Sequence, residues 1–264
     1  MILDVLADSS RKRVEAAKEK ISMKTMEKLA CSALEKTKIK GLSFEQSLSS
    51  PGISFICEVK RASPSKGLIA PEFPYVEIAK DFQAAGADAI SVLTEPEYFL
   101  GNNSYLTGIS HEVDLPLLRK DFTVDPYQIY EAKVIGASAV LLICALLDPK
   151  ALKEGIELCS SLGLSALVEA HDEDEIHSAL WAGARIIGVN NRNLKTFEVD
   201  FNNSLRLRSM VPSEVLFVAE SGIKTEADIR LLREAGVHGV LIGESLMRSP
   251  DKKEIINGLK RASQ

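Results

Sequence analysis

No apolar run in this chain reaches the ~18 residues that a membrane-spanning helix requires. The first residues, Met1-Ile2-Leu3-Asp4, lack the basic and apolar regions of a signal peptide. Cysteine is sparse, and the four present, Cys31, Cys57, Cys144 and Cys159, form no C-x-x-C pair. Buried free thiols in a reducing compartment are therefore expected rather than a disulfide framework or a zinc ribbon. The four histidines, His111, His171, His177 and His238, show no metal-ligand spacing. No metal is expected, and each is read as structural or exposed. There is one tryptophan, Trp181, just before a helix-ending glycine, where packing is its expected role. Basic charge is not in excess: 32 Lys and Arg stand against 37 Asp and Glu, a net charge of −5. That argues against nucleic acid as a partner and means that an anionic substrate needs local cations. A soluble, cytoplasmic protein without membrane attachment is expected.

What is present is regular. With 264 residues, 45% of them hydrophobic, the chain can bury a sizeable core. One phrase recurs: a helical stretch ends at glycine and a short apolar run follows. It occurs as Ala85-Gly86-Ala87 before Ala89–Leu93, and as Ile135-Gly136-Ala137 before Ala139–Ile143. It returns as Ala182-Gly183-Ala184 before Ile186–Val189, and as Ala235-Gly236-Val237 before Gly239–Ile242. Glycine suits the left-handed position that ends a helix. Short runs that are apolar throughout suit strands buried on both faces. Further runs lie at Phe55 to Lys60, Pro116 to Asp121, Leu164 to Glu169 and Val215 to Glu220, which makes eight. Helix starts stand at Asp125-Pro126, Asp148-Pro149, Asp172-Glu173 and Lys224-Thr225. This alternation predicts an α/β fold, a (β/α)8 TIM barrel of one domain over residues 1–264. Residues 1–50, helical and charged, are expected to form an N-terminal extension packed on it. An open doubly wound sheet is the alternative, but the sequence has no G-x-G-x-x-G turn to support it.

In such a barrel, function gathers at the C-terminal ends of the strands. The first run ends Glu58-Val59-Lys60-Arg61-Ala62-Ser63-Pro64-Ser65. Residues two apart on a strand share a face, so Glu58 and Lys60 point the same way. Alone, the pair reads better as a surface ion pair at a strand end. The other ends change that reading: Lys120-Asp121-Phe122, Glu169-Ala170-His171, Asn190-Asn191-Arg192 and Glu220-Ser221-Gly222. Acids Glu58, Glu169 and Glu220 and cations Lys60, Lys120 and Arg192 can thus converge on one mouth. Charges so placed cost stability and supply general acids and bases. The turns Glu220-Ser221-Gly222-Ile223 and Gly243-Glu244-Ser245 suit phosphate binding by backbone N–H groups, although glycine and serine also serve ordinary loops. Phe122, Tyr98 and Phe99 lie beside the mouth as pocket or core residues.

In order along the chain, these motifs resemble those of the indole-3-glycerol phosphate synthase family of tryptophan biosynthesis. The match runs from Glu58–Ser65 through Ser91–Glu95, Leu118–Phe122, Val168–His171 and Asn190–Leu194 to Ala219–Ile223 and Leu241–Met247. The resemblance implies a carboxy-lyase that closes an indole ring on a carboxyphenylamino-deoxyribulose phosphate, losing carbon dioxide and water without a cofactor. It implies Lys120 as the acid at the ketone oxygen, with Glu169 handling protons beside it. Lys60 would meet the carboxylate or phosphate and serve dehydration, with Glu58 holding it as a second base. Asn190 and Glu220 would bind hydroxyls or the ring nitrogen. Ser63 and Arg192 would meet carboxylate, and Phe122 would stack on the aryl ring. Ser221, Gly222, Gly243 and Glu244 would hold phosphate. A small phosphorylated substrate is the expected partner, with the protein a monomer or weak homo-oligomer.

Overall fold

The computed structural model describes residues 2–36, 43–193, 196–249 and 251–263. Leu194 of the fifth motif, and Met1 and residues 37–42 of the N-terminal fifty, lie outside them. In the described chain, helices α1 (Ile2–Lys20), α2 (Met23–Lys36) and α3 (Phe44–Leu48) precede strand β1 (Ser54–Val59). A short ribbon, β2 (Ala62–Ser63) and β3 (Gly67–Leu68), occupies the loop that follows. Then come α4 (Tyr75–Ala84), β4 (Ala89–Leu93), α5 (Asn103–Glu112), β5 (Leu117–Lys120), α6 (Pro126–Val134) and β6 (Ala139–Ile143). The alternation continues through α7 (Pro149–Ser161), β7 (Ser165–Ala170), α8 (Glu173–Trp181), β8 (Ile186–Asn190) and α9 (Asn202–Arg208). It ends with β9 (Leu216–Glu220), α10 (Glu226–Glu234), β10 (Gly239–Ile242), α11 (Glu244–Arg248) and α12 (Lys252–Ser263).

Strands β1 and β4 to β10 close into a parallel barrel, with β1 hydrogen-bonded to both β4 and β10. This is the expected (β/α)8 barrel. Asp125, Asp148, Asp172 and Thr225 each cap a helix with a side-chain oxygen, and Pro126 and Pro149 open theirs. Gly86, Gly136, Gly183 and Gly236 follow helices with φ between 78° and 95°, a region that suits residues without a Cβ.

Strand parity sorts the core into two. Ile56, Leu118, Leu141, Leu167, Val218 and Leu241 fill the barrel. Phe55, Cys57, Val92, Val140, Val168 and Phe217 alternate with them and pack in the larger cluster that also holds helix residues. Phe44 and Leu48 of α3 join the inner cluster, and Leu48 lies against Gly239 at the start of β10. They plug the barrel's N-terminal end, so the opposite end is left for a site. One inward step further along the strands, apolar residues give way to Glu58, Lys120, Glu169 and Glu220.

Two expectations need correction. Trp181 is 62% exposed, with the Lys153 ammonium 5.8 Å from its ring centroid. The buried stripe of α8 is Ile176 and Ala179, and Trp181 falls on the opposite face. The four cysteines are free, but only Cys57 and Cys159 are buried; Cys144 is intermediate and Cys31 is exposed. Cys31 lies off the buried positions of α2, Met26 and Ala30.

Candidate active site

A cavity of about 550 Å³ opens at the C-terminal end of the barrel. Every residue expected to serve the site lines it: Glu58, Lys60, Ser63, Lys120, Phe122, Glu169 and Asn190, with Arg192, Glu220, Ser221, Gly222, Gly243 and Glu244. Register brings them level. Ile143 of β6 pairs with Glu169 of β7, and Asn190 of β8 pairs with Glu220 of β9.

The floor is a lattice of charge. Lys120 Nζ lies 2.6 Å from Glu220 Oε2 and 3.4 Å from Glu169 Oε2. Lys60 Nζ lies 2.6 Å from Glu58 Oε1, and the Ser91 hydroxyl donates to Glu58 Oε2 at 3.4 Å. Asn190 Nδ2 donates to Glu169 Oε1 at 3.3 Å, while its Oδ1 accepts the Arg192 N–H. Burial disfavours the Lys120 ammonium, but Glu220, Glu169 and Glu58 outweigh it and raise the pKa, keeping the proton on. The acids are split. Burial opposes ionisation of Glu169, yet Lys120 and His171 draw it down to about 2. Burial, aided by Glu169 and Glu58, pushes Glu220 up to about 7 against the pull of Lys120. Such separated acids suit one proton acceptor and one proton holder.

The rest of the cavity divides in two. Leu3 and Leu6 of α1 line it together with Phe99, Phe122 and Leu141. The Phe99 and Phe122 rings sit 6.1 Å apart at 44°. Tyr98 does not line the cavity; its backbone N–H, with those of Glu97 and Phe99, donates to the buried Glu95 carboxylate. At the other end, Ser221 and Gly222 take φ of 67° and 84°. Gly243 precedes α11, and Lys66, Lys224 and Arg248 add cationic side chains.

Sequence reading missed three contributors. Gly188 gives space to Glu220: a Cβ there would clash with Glu220 Oε1. A glycine inside a strand signals such close approach. Arg13 of α1 reaches Asp121, next to Lys120. His171, expected to be structural or exposed, has its ring against Glu169. Its position two residues after Glu169 was the available signal.

A family model for indole-3-glycerol phosphate synthase matches residues 3–259. The chain belongs to the indole-3-glycerol phosphate synthase family. A protein of that name from Ruminiclostridium cellulolyticum is 58% identical over 251 residues, 95% of each chain. Another, from Endomicrobium trichonymphae, is 55% identical and covers 98% of this chain and 100% of its own. Among solved structures, a 3-hexulose-6-phosphate synthase superposes with TM-score 0.66 at 16% identity, over 80% of this chain and 100% of that one. A thiamine phosphate pyrophosphorylase from Pyrococcus furiosus gives 0.62 at 16%, over 83% and 96%. At such identity these two show the fold alone. Among the described residues, no helix is long and apolar enough to cross a membrane.

Proposed function

We propose that this member of the synthase family closes the indole ring of 1-(2-carboxyphenylamino)-1-deoxyribulose 5-phosphate, and that the cavity residues divide the work as follows. The aryl ring lies against Phe122 and the apolar wall, its carboxylate toward Ser63, Lys60 and Arg192. The phosphate lies at the Ser221-Gly222 and Gly243-Glu244 turns, where backbone N–H groups receive it. Lys120 donates a proton to the ketone oxygen as the aryl carbon attacks the carbonyl carbon. Loss of carbon dioxide from that aryl carbon returns the bonding electrons to the ring. The new hydroxyl then leaves as water, protonated by a lysine, with Lys60 suited to the role. Glu169 accepts the proton released in forming the double bond, and Glu58 holds Lys60 and serves as a second base. Asn190 and Glu220 bind substrate hydroxyls or the ring nitrogen.

The observation that carries this reading is Lys120, charged and braced by Glu220 and Glu169, on the floor of a cavity apolar at one end and glycine-lined at the other. A cation so held needs little reorganisation when charge develops on the ketone oxygen. In the same reading the chain is one barrel domain, with its first fifty residues as an extension whose Leu3 and Leu6 complete the aryl wall. The test is direct: purified protein and the substrate should give an indole fluorescence that saturates with substrate. Folded protein that binds the compound without turnover would overturn the reading.

A further inference from the structure

Lys120 contacts two carboxylates of the same chemistry, Glu169 and Glu220, and something must decide which stays ionised. We infer that His171 is a positioning residue that makes this choice, acting as an imidazolium clamped between Glu175 and Glu169 and keeping Glu169 the proton acceptor. The inference rests on the proposed role of Glu169.

The geometry is a chain of alternating charge. His171 Nδ1 lies 3.0 Å from Glu175 Oε2, and Nε2 lies 3.3 Å from Glu169 Oε1. The Nδ1 contact is a hydrogen bond, and the Nε2 contact is an ion-pair approach outside hydrogen-bond alignment. A neutral imidazole has one N–H and would turn a bare lone pair toward one of these carboxylates, so the two oxygens together favour the cation. The clamp is built on both sides. Glu175 Oε2 also accepts the His171 backbone N–H at 2.8 Å, and the Glu175 N–H is capped by Asp172. From α9, Asn203 Nδ2 donates to the His171 carbonyl. The ring is largely buried, 17% exposed, and does not line the cavity, so it acts through Glu169.

The surrounding groups leave the charge in place. From the end of β6, the Cys144 Sγ faces the Glu175 carbonyl, and burial pushes its thiol up to about 12, so it stays neutral. Glu173 at the start of α8 is paired with Arg206 of α9. Asp172 accepts the Glu175 N–H, Asn190 is neutral, and Lys120 lies across Glu169. Burial works against the imidazolium, but Glu169 and Glu175 raise it to about 10. Glu220 has no imidazolium beside it among the described residues, where its Oε1 is buried without a hydrogen-bond partner. The shared proton therefore settles on Glu220 and leaves Glu169 free to accept one.

The experiment combines NMR of full-length protein labelled with 15N-histidine and the kinetics of His171→Gln and Glu175→Gln. In the native protein at pH 7.5, both His171 ring nitrogens should be protonated. In Glu175→Gln the ionisation midpoint of His171 should fall by about one unit or more. His171→Gln should lower kcat by about tenfold or more with KM within about threefold, and should move the acid limb of kcat upward by about one unit. A residue that only supported the fold would lower stability without moving that limb. A neutral imidazole at pH 7.5, or native kcat and pH profile in His171→Gln, would overturn the inference. If His171→Gln does not fold, Glu175→Gln decides by the fall of the His171 midpoint, an unchanged midpoint overturning the inference, because its amide oxygen still accepts the His171 backbone N–H. Absence of turnover in the native protein would instead defeat the ring-closure reading, while the NMR result still decides the state of His171.

Discussion

Arg13, on the first helix, grips Asp121, the residue after Lys120, with both arms of its guanidinium, at 2.7 and 3.1 Å. Asp121 is buried and also accepts the Thr94 hydroxyl and the Phe122 N–H. Burial opposes its charge, but Arg13 and Arg119 hold its carboxyl below the usual range. A segment distant in sequence therefore anchors the end of β5 that presents Lys120 and the loop that presents Phe122.

Arg13→Ala should destabilise the protein by about 3 kcal/mol, because a buried carboxylate loses its main partner. Asp121 ionises more readily in the folded state, so its pairing stabilises above the ordinary aspartate range near pH 4 and is lost as pH falls through the lower folded value. The gap between variant and native protein should therefore narrow below about pH 4. Denaturant midpoints at pH 7 and pH 3.5 check this; an equal gap at both would exclude the ion pair as the cause.

Lys120→Met should lower kcat by about a thousandfold, within the range of a lost general acid. Substrate affinity should stay within about tenfold, since the phosphate and aryl contacts remain. Single-turnover kinetics with equilibrium binding separate the two quantities. A near-native rate would remove Lys120 from the mechanism.

Glu220→Gln should flatten the dependence of stability on pH. Glu220 is held up to about 7 when folded, above its ordinary value near 4.3. Its contribution is complete below that ordinary value and is lost as pH rises through about 7. Calorimetry without substrate should find the native Tm falling between pH 5 and pH 8.5, with the amide variant gaining on it by a few degrees. Parallel curves would mean that Glu220 is already ionised at low pH.

Gly188→Ala should weaken catalysis more than folding. The added methyl clashes with the far end of the flexible Glu220 side chain, so the carboxylate can move while the barrel persists at a cost of about 1–3 kcal/mol. The displaced acid leaves Lys120 with Glu169 alone, and kcat should fall about tenfold. Native kcat in a folded variant would show that the placement of Glu220 is immaterial.

Gly222→Ala should raise KM with a smaller effect on kcat. Its φ is 84°, and a Cβ would lie 2.7 Å from Val199 Cγ1, so the turn must deform. Competition by inorganic phosphate, measured in the same assay, should weaken by about tenfold. Unchanged inhibition would place the phosphate elsewhere.

The barrel was legible because its signals are local. Apolar runs, helix-ending glycines and Asp-Pro caps each act within a few residues, and strand parity extends that reading to the side-chain faces. Thus Glu58 and Lys60, Lys120, Glu169 and Glu220 could be placed on one mouth before any fold was seen. Trp181 was misread because a helix-ending glycine marks where a helix stops, not which of its faces is buried.

By itself, then, the sequence determined the succession of strands and helices and the residues at the strand ends. Tertiary structure alone decided which of those residues share a proton. Lys120 meets Glu220 across 100 positions and Glu169 across 49, while Arg13 meets Asp121 across 108. Barrel closure sets those approaches. The strength of a buried charge pair depends on distance and on what else has been removed from water. Neither quantity is carried by any short stretch of chain.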